Sequence, residues 1–125
     1  MGENRIKLVA ADMDGTLLNR ERKITKYTQN VIKKAMAQGV YFVPATGRAV
    51  NALPPELKEM EGIRYGIFSN GATIYDLKEE KVIYKNHFEM DRVLELMDFL
   101  KQFDLMESIS LNGQSYANKK EDRKS

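Results

Sequence analysis

The stretch Ala10-Ala11-Asp12-Met13-Asp14-Gly15-Thr16-Leu17-Leu18 follows directly on the apolar run Ile6, Leu8, Val9 and Ala10, so two carboxylates arrive where a buried strand ends. A strand alternates faces with period two, which aims Asp12 and Asp14 the same way, at most roughly 7 Å apart. Gly15 permits a sharp turn, and Thr16 beyond it offers a backbone N–H and a hydroxyl to an anion. These residue types in this order point to a phosphate-handling site.

Composition bounds the rest. A chain of 125 residues with 42% hydrophobic side chains has the size and balance of one modest domain with a real core. Twenty basic residues against 18 acidic leave a net charge of +2, which gives no reason to expect nucleic acid or a membrane surface as a partner. With no cysteine, disulfides, thiolate zinc sites and cysteine nucleophiles are excluded. The polar start and the lack of any long apolar run read as a cytoplasmic protein without a signal peptide or membrane span.

Outward from the opening stretch, residues 6–12 read as a central parallel strand covered on both faces. Thr25 is an N-cap for a helix whose apolar positions are Tyr27, Val31, Ile32, Ala35 and Met36, and Gly39 stops it. Residues 40–43 form a second buried strand, completing a βαβ unit that ends in Thr46-Gly47-Arg48. Residues 49–60 are helical in composition, divided by Pro54-Pro55. A third strand, 64–69, ends in Asn70-Gly71, so three strands present polar residues at their C-terminal ends, where open α/β sheets bind ligands. A hairpin (73–76 and 82–85), a helix (91–103) and a second hairpin (106–111 and 114–117, with an Asn112-Gly113 type I′ turn) complete the pattern. The last eight residues hold six charges and no apolar side chain, a solvated or frayed tail.

Asp12-Met13-Asp14-Gly15-Thr16-Leu17-Leu18 after a buried strand resembles the first motif of the haloacid dehalogenase superfamily. Thr46-Gly47-Arg48 resembles its second motif, and Ser69-Asn70-Gly71-Ala72 with Ile74-Tyr75-Asp76 resembles a segment typical of Cof-like sugar phosphatases. The resemblance implies an α/β, Rossmann-like parallel sheet with βαβ units, followed by the first helix and hairpin of an α+β type II cap. It divides the chain into core (1–88), opening of the cap (89–117) and charged tail (118–125). The family pattern also asks for a downstream lysine and an acidic Gly-Asp-x-x-x-Asp-type loop, neither of which this sequence contains. The expectation is the N-terminal half of such a protein, truncated and weak or inactive alone. The family's strand order would leave the first strand of this half at a sheet edge, an apolar template for self-association into a homo-oligomer.

The resemblance implies a magnesium-dependent phosphate-monoester hydrolase acting on a small phosphorylated metabolite such as a sugar phosphate. Asp12 is the implied nucleophile, forming an aspartyl-phosphate, since a carboxylate with pKa near ~3.9 is already ionised at neutral pH. Asp14 is the implied acid/base, a role that needs its pKa to rise, and a neighbouring carboxylate pushes in that direction. Mg2+ would be held by the Asp12 carboxylate and the Asp14 backbone carbonyl. Gly15, Thr16, Thr46, Gly47, Arg48 and Asn70 are the candidate phosphate or substrate contacts. Arg48 has two readings, on substrate phosphate or paired with an acidic residue, and Asn70 either faces the cleft or serves the turn with Gly71.

Asp-Gly after a strand is a common turn signal, so Asp14-Gly15 alone would be structural. Asp12, Thr16, Thr46 and three aligned strand ends together weigh against that reading. His87 stands without partner ligands and reads as loop packing, and Lys78-Glu79-Glu80-Lys81 as a solvated turn. Dinucleotide, Walker and zinc-protease motifs are absent. The alternative is a non-catalytic phosphate-binding or self-associating α/β module.

Overall fold

The computed structural model describes residues 5–111 and 114–118. They fall into two compact units, Met1–Lys85 and Asn86–Ser125.

The first unit is built on a five-stranded sheet of order β1-β2-β3-β4-β5. Strands β1 (Leu8–Asp12), β2 (Tyr41–Ala45) and β3 (Tyr65–Phe68) run parallel, whereas β4 (Thr73–Asp76) and β5 (Lys81–Lys85) form an antiparallel hairpin on β3. Helix α1 (Lys26–Ala37) crosses from β1 to β2. Its start is fixed by Thr25, whose hydroxyl accepts the Thr28 N–H, and its end by Gly39 in the left-handed region at φ 89°. The 49–60 segment is mostly irregular: a single turn at Val50–Ala52 and a short helix α2 (Pro55–Lys58) with proline at its first position.

The core gathers Met13, Leu18, Ile24, Ile32, Phe42, Leu53, Leu57, Met60, Ile63 and Phe68. Alternation puts Phe42 and Phe68 on one sheet face, and Tyr75 meets Phe68 edge-on with ring centroids 6.5 Å apart. Two expectations fail here. Tyr27 and Val31 of α1 are exposed, because the narrow face turned to the core is carried by Ile32 and Met36. Strand β1 is not covered on both faces: Leu8 and Val9, on opposite faces by alternation, are both exposed; β1 does stand at the sheet's edge, as the family's strand order implied, with only β2 beside it.

The β4–β5 turn is held by an ion pair. Asp76, 2% exposed, receives Arg64 through Nε and Nη2 at 3.2 and 3.1 Å, and its other oxygen accepts the Lys78 and Glu79 N–H groups. Arg64 also lies over the Tyr65 ring at 5.3 Å.

The second unit holds helix α3 (Met90–Leu100) and the antiparallel pair β6 (Ser108–Leu111) and β7 (Gln114–Ala117), in register Ile109↔Tyr116. Asn118 closes the ladder by accepting the Glu107 N–H at 2.8 Å. Helix α3 stops at Leu100, short of the expected 103, where Phe103 N–H bonds to the Leu100 carbonyl. The Asn112-Gly113 turn and most of the charged tail lie outside the described residues.

The bond from the Glu79 N–H, with Arg64 beside it, holds the Asp76 carboxyl below the usual carboxylate range. Its contribution to stability is therefore present above the unfolded value of about 3.9 and is lost as pH falls through the lower folded value. Asp76→Asn is expected to lower the melting temperature at pH 7 and to flatten its fall between about pH 4 and pH 2, followed by circular dichroism.

Candidate active site

Parallel pairing sets the site. Register Asp12↔Ala45 between β1 and β2, and Ala45↔Ile67 between β2 and β3, brings Asp12, Thr46 and the turn after Phe68 to one end of the sheet.

Strand β1 ends at Asp12, so Asp14 does not arrive by strand alternation as the sequence suggested. Residues 13–17 form one wide turn, closed by the Leu18 N–H to the Met13 carbonyl at 2.9 Å. Asp14 is extended in this turn (φ −68°, ψ 124°) and Gly15 reverses the chain at φ 78°, a conformation that L side chains rarely adopt. Met13 is the anchor: it is fully buried, while the carboxylates on either side of it are exposed. The alternation of acid, apolar and acid residues that turns Asp12 and Asp14 one way is the signal that sends Met13 the other. Burying a methionine side chain contributes on the order of 2 kcal/mol, enough to hold the turn in place.

The two carboxylates differ. Among the described residues, Asp12 Oδ2 accepts only a long hydrogen bond from the Thr16 hydroxyl, at 3.4 Å. Asp14 is gripped by Arg48, with Nε on Oδ2 at 2.9 Å and Nη2 on Oδ1 at 2.6 Å. The remaining Arg48 nitrogen, Nη1, donates to the Ala52 carbonyl at 3.1 Å, so the irregular 49–53 segment fixes the guanidinium. Of the two readings for Arg48, the structure shows the pair with an acid.

This overturns one expectation. The hydrogen bonds and charge of Arg48 hold the Asp14 carboxyl below the usual range, where a neighbouring carboxylate was expected to raise it, and Asp14 in turn raises Arg48.

Thr46 is 6% exposed, its N–H bonded to the Ile67 carbonyl and its hydroxyl oxygen accepting the Arg48 N–H at 3.1 Å. Because that oxygen acts as acceptor, the hydroxyl proton stays free to donate. Gly47 and Asn70 are neighbours: a Cβ at Gly47 would stand 2.8 Å from Asn70 Oδ1. Gly15 and Thr16 are exposed at the mouth of the turn. Every candidate residue thus lies at the C-terminal ends of β1, β2 and β3 or in the turns that leave them. Among the described residues there is no cluster of three or more His, Cys, Asp or Glu side chains of the kind that encloses a metal ion. No helix among them is long and apolar enough to cross a membrane.

Comparison with known proteins assigns the architecture. Residues 9–125 match the family of haloacid dehalogenase-like hydrolases, and the chain belongs to that family. Among relatives, a Buchnera aphidicola (subsp. Schizaphis graminum) protein is 39% identical over 115 residues, covering 90% of this chain and 41% of its own. The 5-amino-6-(5-phospho-D-ribitylamino)uracil phosphatase YcsE of Bacillus subtilis is 37% identical over 89 residues, 68% of this chain and 36% of that protein. Among solved structures, a haloacid dehalogenase-like hydrolase from B. subtilis superposes with a TM-score of 0.81 at 26% identity, over 93% of this chain and 40% of that one. A sugar phosphatase of HAD subclass IIB superposes with a TM-score of 0.74 at 29% identity, over 89% and 43%. The chain therefore spans about two fifths of the length of the proteins it matches.

Arg48→Met is expected to return the Asp14 carboxyl toward about 3.9, read by carboxyl-carbon NMR titration. Asp14 is 53% exposed, so the variant should cost no more than about 1 kcal/mol at neutral pH, and that difference should vanish as pH falls through the lowered Asp14 value.

Proposed function

We propose that this chain carries the nucleophile half of a phosphate-monoester hydrolase site for small phosphorylated metabolites, sugar phosphates among them. The observation that carries the reading is the unequal pair of carboxylates: Asp12 nearly free at the strand end, Asp14 clamped by Arg48, and the Thr46 hydroxyl on the adjacent strand end. The phosphatase relatives support the substrate class.

In this reading an Asp12 oxygen attacks phosphorus, the bond from phosphorus to the ester oxygen breaks, and the departing alkoxide takes a proton from Asp14. Water then attacks the aspartyl-phosphate, gives its proton to Asp14, and releases inorganic phosphate with Asp12 restored. In the free protein Arg48 holds Asp14 ionised, the form suited to accept the proton of water. Donation to the leaving group requires Arg48 to part from Asp14, which an incoming phosphoryl group can bring about by competing for the guanidinium. The Thr46 hydroxyl donates to a phosphoryl oxygen, with Gly47 allowing close approach of the backbone, and Gly15 and Thr16 line the turn.

The donors present suit magnesium, which takes one or two carboxylates alongside substrate phosphate and water. Asp12, bonded among the described residues only to Thr16, would supply a carboxylate oxygen and Asp14 its backbone carbonyl, since the Asp14 side chain is committed to Arg48. A bound magnesium ion would offset the repulsion between an anionic nucleophile and an anionic phosphate. Among the described residues no lysine pairs with either carboxylate and no third acid joins them. Turnover by the 125-residue chain alone is therefore slow relative to binding.

A second reading, phosphate binding or self-association without turnover, is favoured by two observations: Asp14 is held ionised, and the exposed β1 edge carries Leu8 and Val9. Light scattering of the purified chain is expected to give a mass above the 14.4 kDa of a single copy, restored to one copy by Leu8→Pro, since proline removes an edge donor.

The catalytic reading predicts slow, magnesium-dependent hydrolysis of an aryl phosphate that Asp12→Asn lowers by at least about a hundredfold. Hydrolysis indifferent to that substitution would sink it. Calorimetric heat with phosphate and magnesium but no product at all would leave the binding module standing.

A further inference from the structure

Two polar turns rise side by side from one apolar base. Met13, Leu18 and Ile24 are buried in the same core, and residues 14–17 and 19–23 are the excursions between those anchors. The Leu18 N–H bonds to the Met13 carbonyl at 2.9 Å, which sets the start of the second turn against the start of the first. Asn19 staples the second turn: its N–H donates to the Lys23 carbonyl and its carbonyl accepts the Arg22 N–H, both at 2.9 Å, while Oδ1 accepts the Glu21 and Lys23 N–H groups at 3.0 and 2.9 Å. The turn therefore needs no side chain from Arg22 for its shape. Yet Arg22 stands in the left-handed region at φ 60°, where glycine or asparagine would sit at lower cost. Its side chain is exposed and makes no hydrogen bond or contact ion pair among the described residues, although its charge is near enough to attract the Asp14 carboxylate through space. A strained backbone that aims an unpaired cation at the mouth of a site is a pattern of functional positions.

We propose that Arg22 selects the leaving group, its guanidinium pairing with a second anion, in the simplest case a carboxylate, carried on the alcohol portion of a phosphate ester. The place of the ester rests on the phosphatase reading; the place of Arg22 rests on the paired turns. Asp14, as acid and base, has to lie at the ester oxygen, so a cation beyond Asp14 faces the alcohol and not the phosphoryl group. Arg48 is committed to Asp14 and the Ala52 carbonyl, which leaves Arg22 for this contact. An anionic leaving group would otherwise be repelled by Asp12 and Asp14, and a guanidinium meets a carboxylate through two parallel bonds.

The probes are phosphoglycerate, phosphorylated on its terminal carbon, and glycerol phosphate, which share a three-carbon skeleton and differ by one carboxylate. Binding of each to the whole chain in magnesium buffer is followed by amide NMR titration, with melting temperature measured in parallel. The wild-type chain is expected to bind phosphoglycerate at least about threefold more tightly, and Arg22→Gln to abolish that preference while leaving the melting temperature within about 3 °C. Arg22→Gly, which suits the left-handed backbone, should abolish it as well. Arg20→Gln removes the same charge from the same turn and should leave the preference in place, which separates a directed contact from the general attraction of a basic loop. Equal or weaker binding of phosphoglycerate by the wild-type chain would overturn the proposal. So would a preference that survives Arg22→Gln, one that Arg20→Gln removes as fully, or one lost only with a large fall in melting temperature. Failure of both esters to bind would overturn the phosphatase reading itself, and this assignment with it.

Discussion

The parallel pairing of β1 with β2, in register from Leu8↔Tyr41 to Asp12↔Ala45, is the constraint on which the site depends. It makes Asp12 the last paired residue of one strand and places Thr46 one residue beyond the last paired residue of the next. A slip of one residue would reverse the faces of β1 and send Ala11 away from the core that it packs against. The crossover helix α1 fixes the connection by burying Ile32 on the same core as Phe42. A polar site at the sheet end is thus held in register by apolar contacts on the sheet face.

Within that frame the turn after β1 resolves a conflict. Two carboxylates close together repel each other, and an apolar residue between them has to go inward. Burial of Met13 and the reversal at Gly15 let the chain point both acids outward, and Arg48 from the second loop neutralises one of them. The result is asymmetry: Asp12 keeps its charge uncompensated by any basic side chain among the described residues, whereas Asp14 shares its charge with a guanidinium that is itself tied to Ala52. Two identical side chains two positions apart become chemically different because only one lies within reach of the second loop.

Much of this was legible in the residues, and the failures have a common form. Strand, helix, strand, hairpin, helix and hairpin could be read because Thr25, Gly39 and the apolar runs are local signals that the structure obeys. The family followed from Asp12-Met13-Asp14-Gly15-Thr16 and Thr46-Gly47-Arg48 for the same reason. What the sequence did not disclose was partnership at a distance. The ion pair of Arg48 with Asp14 spans 34 positions, and it reversed the expected direction of the Asp14 pKa. The edge position of β1, which the family resemblance implied, is what the sheet order has; burial of β1 was overstated because apolar content tells only what a strand is able to cover. The exposed Tyr27 and Val31 fell to the same error on the helix, where periodicity gives an apolar stripe wider than the face that the core receives.

Arg48 joins these levels. Its backbone carbonyl accepts from Ser69, its N–H donates to the Thr46 hydroxyl, and its guanidinium spans Asp14 and Ala52. One residue therefore ties the loops after β1, β2 and β3 together. A residue so placed cannot move its guanidinium without changing the charge balance at Asp14, yet its backbone bonds to Thr46 and Ser69 do not depend on where the guanidinium points. The positions of the three loops and the electrostatics of the carboxylates are accordingly separable: the first is fixed by backbone and core, the second by a partly exposed guanidinium. That separation lets one strand end present two acids whose charges differ in partnership: Asp14 shared with Arg48, Asp12 with the Thr16 hydroxyl.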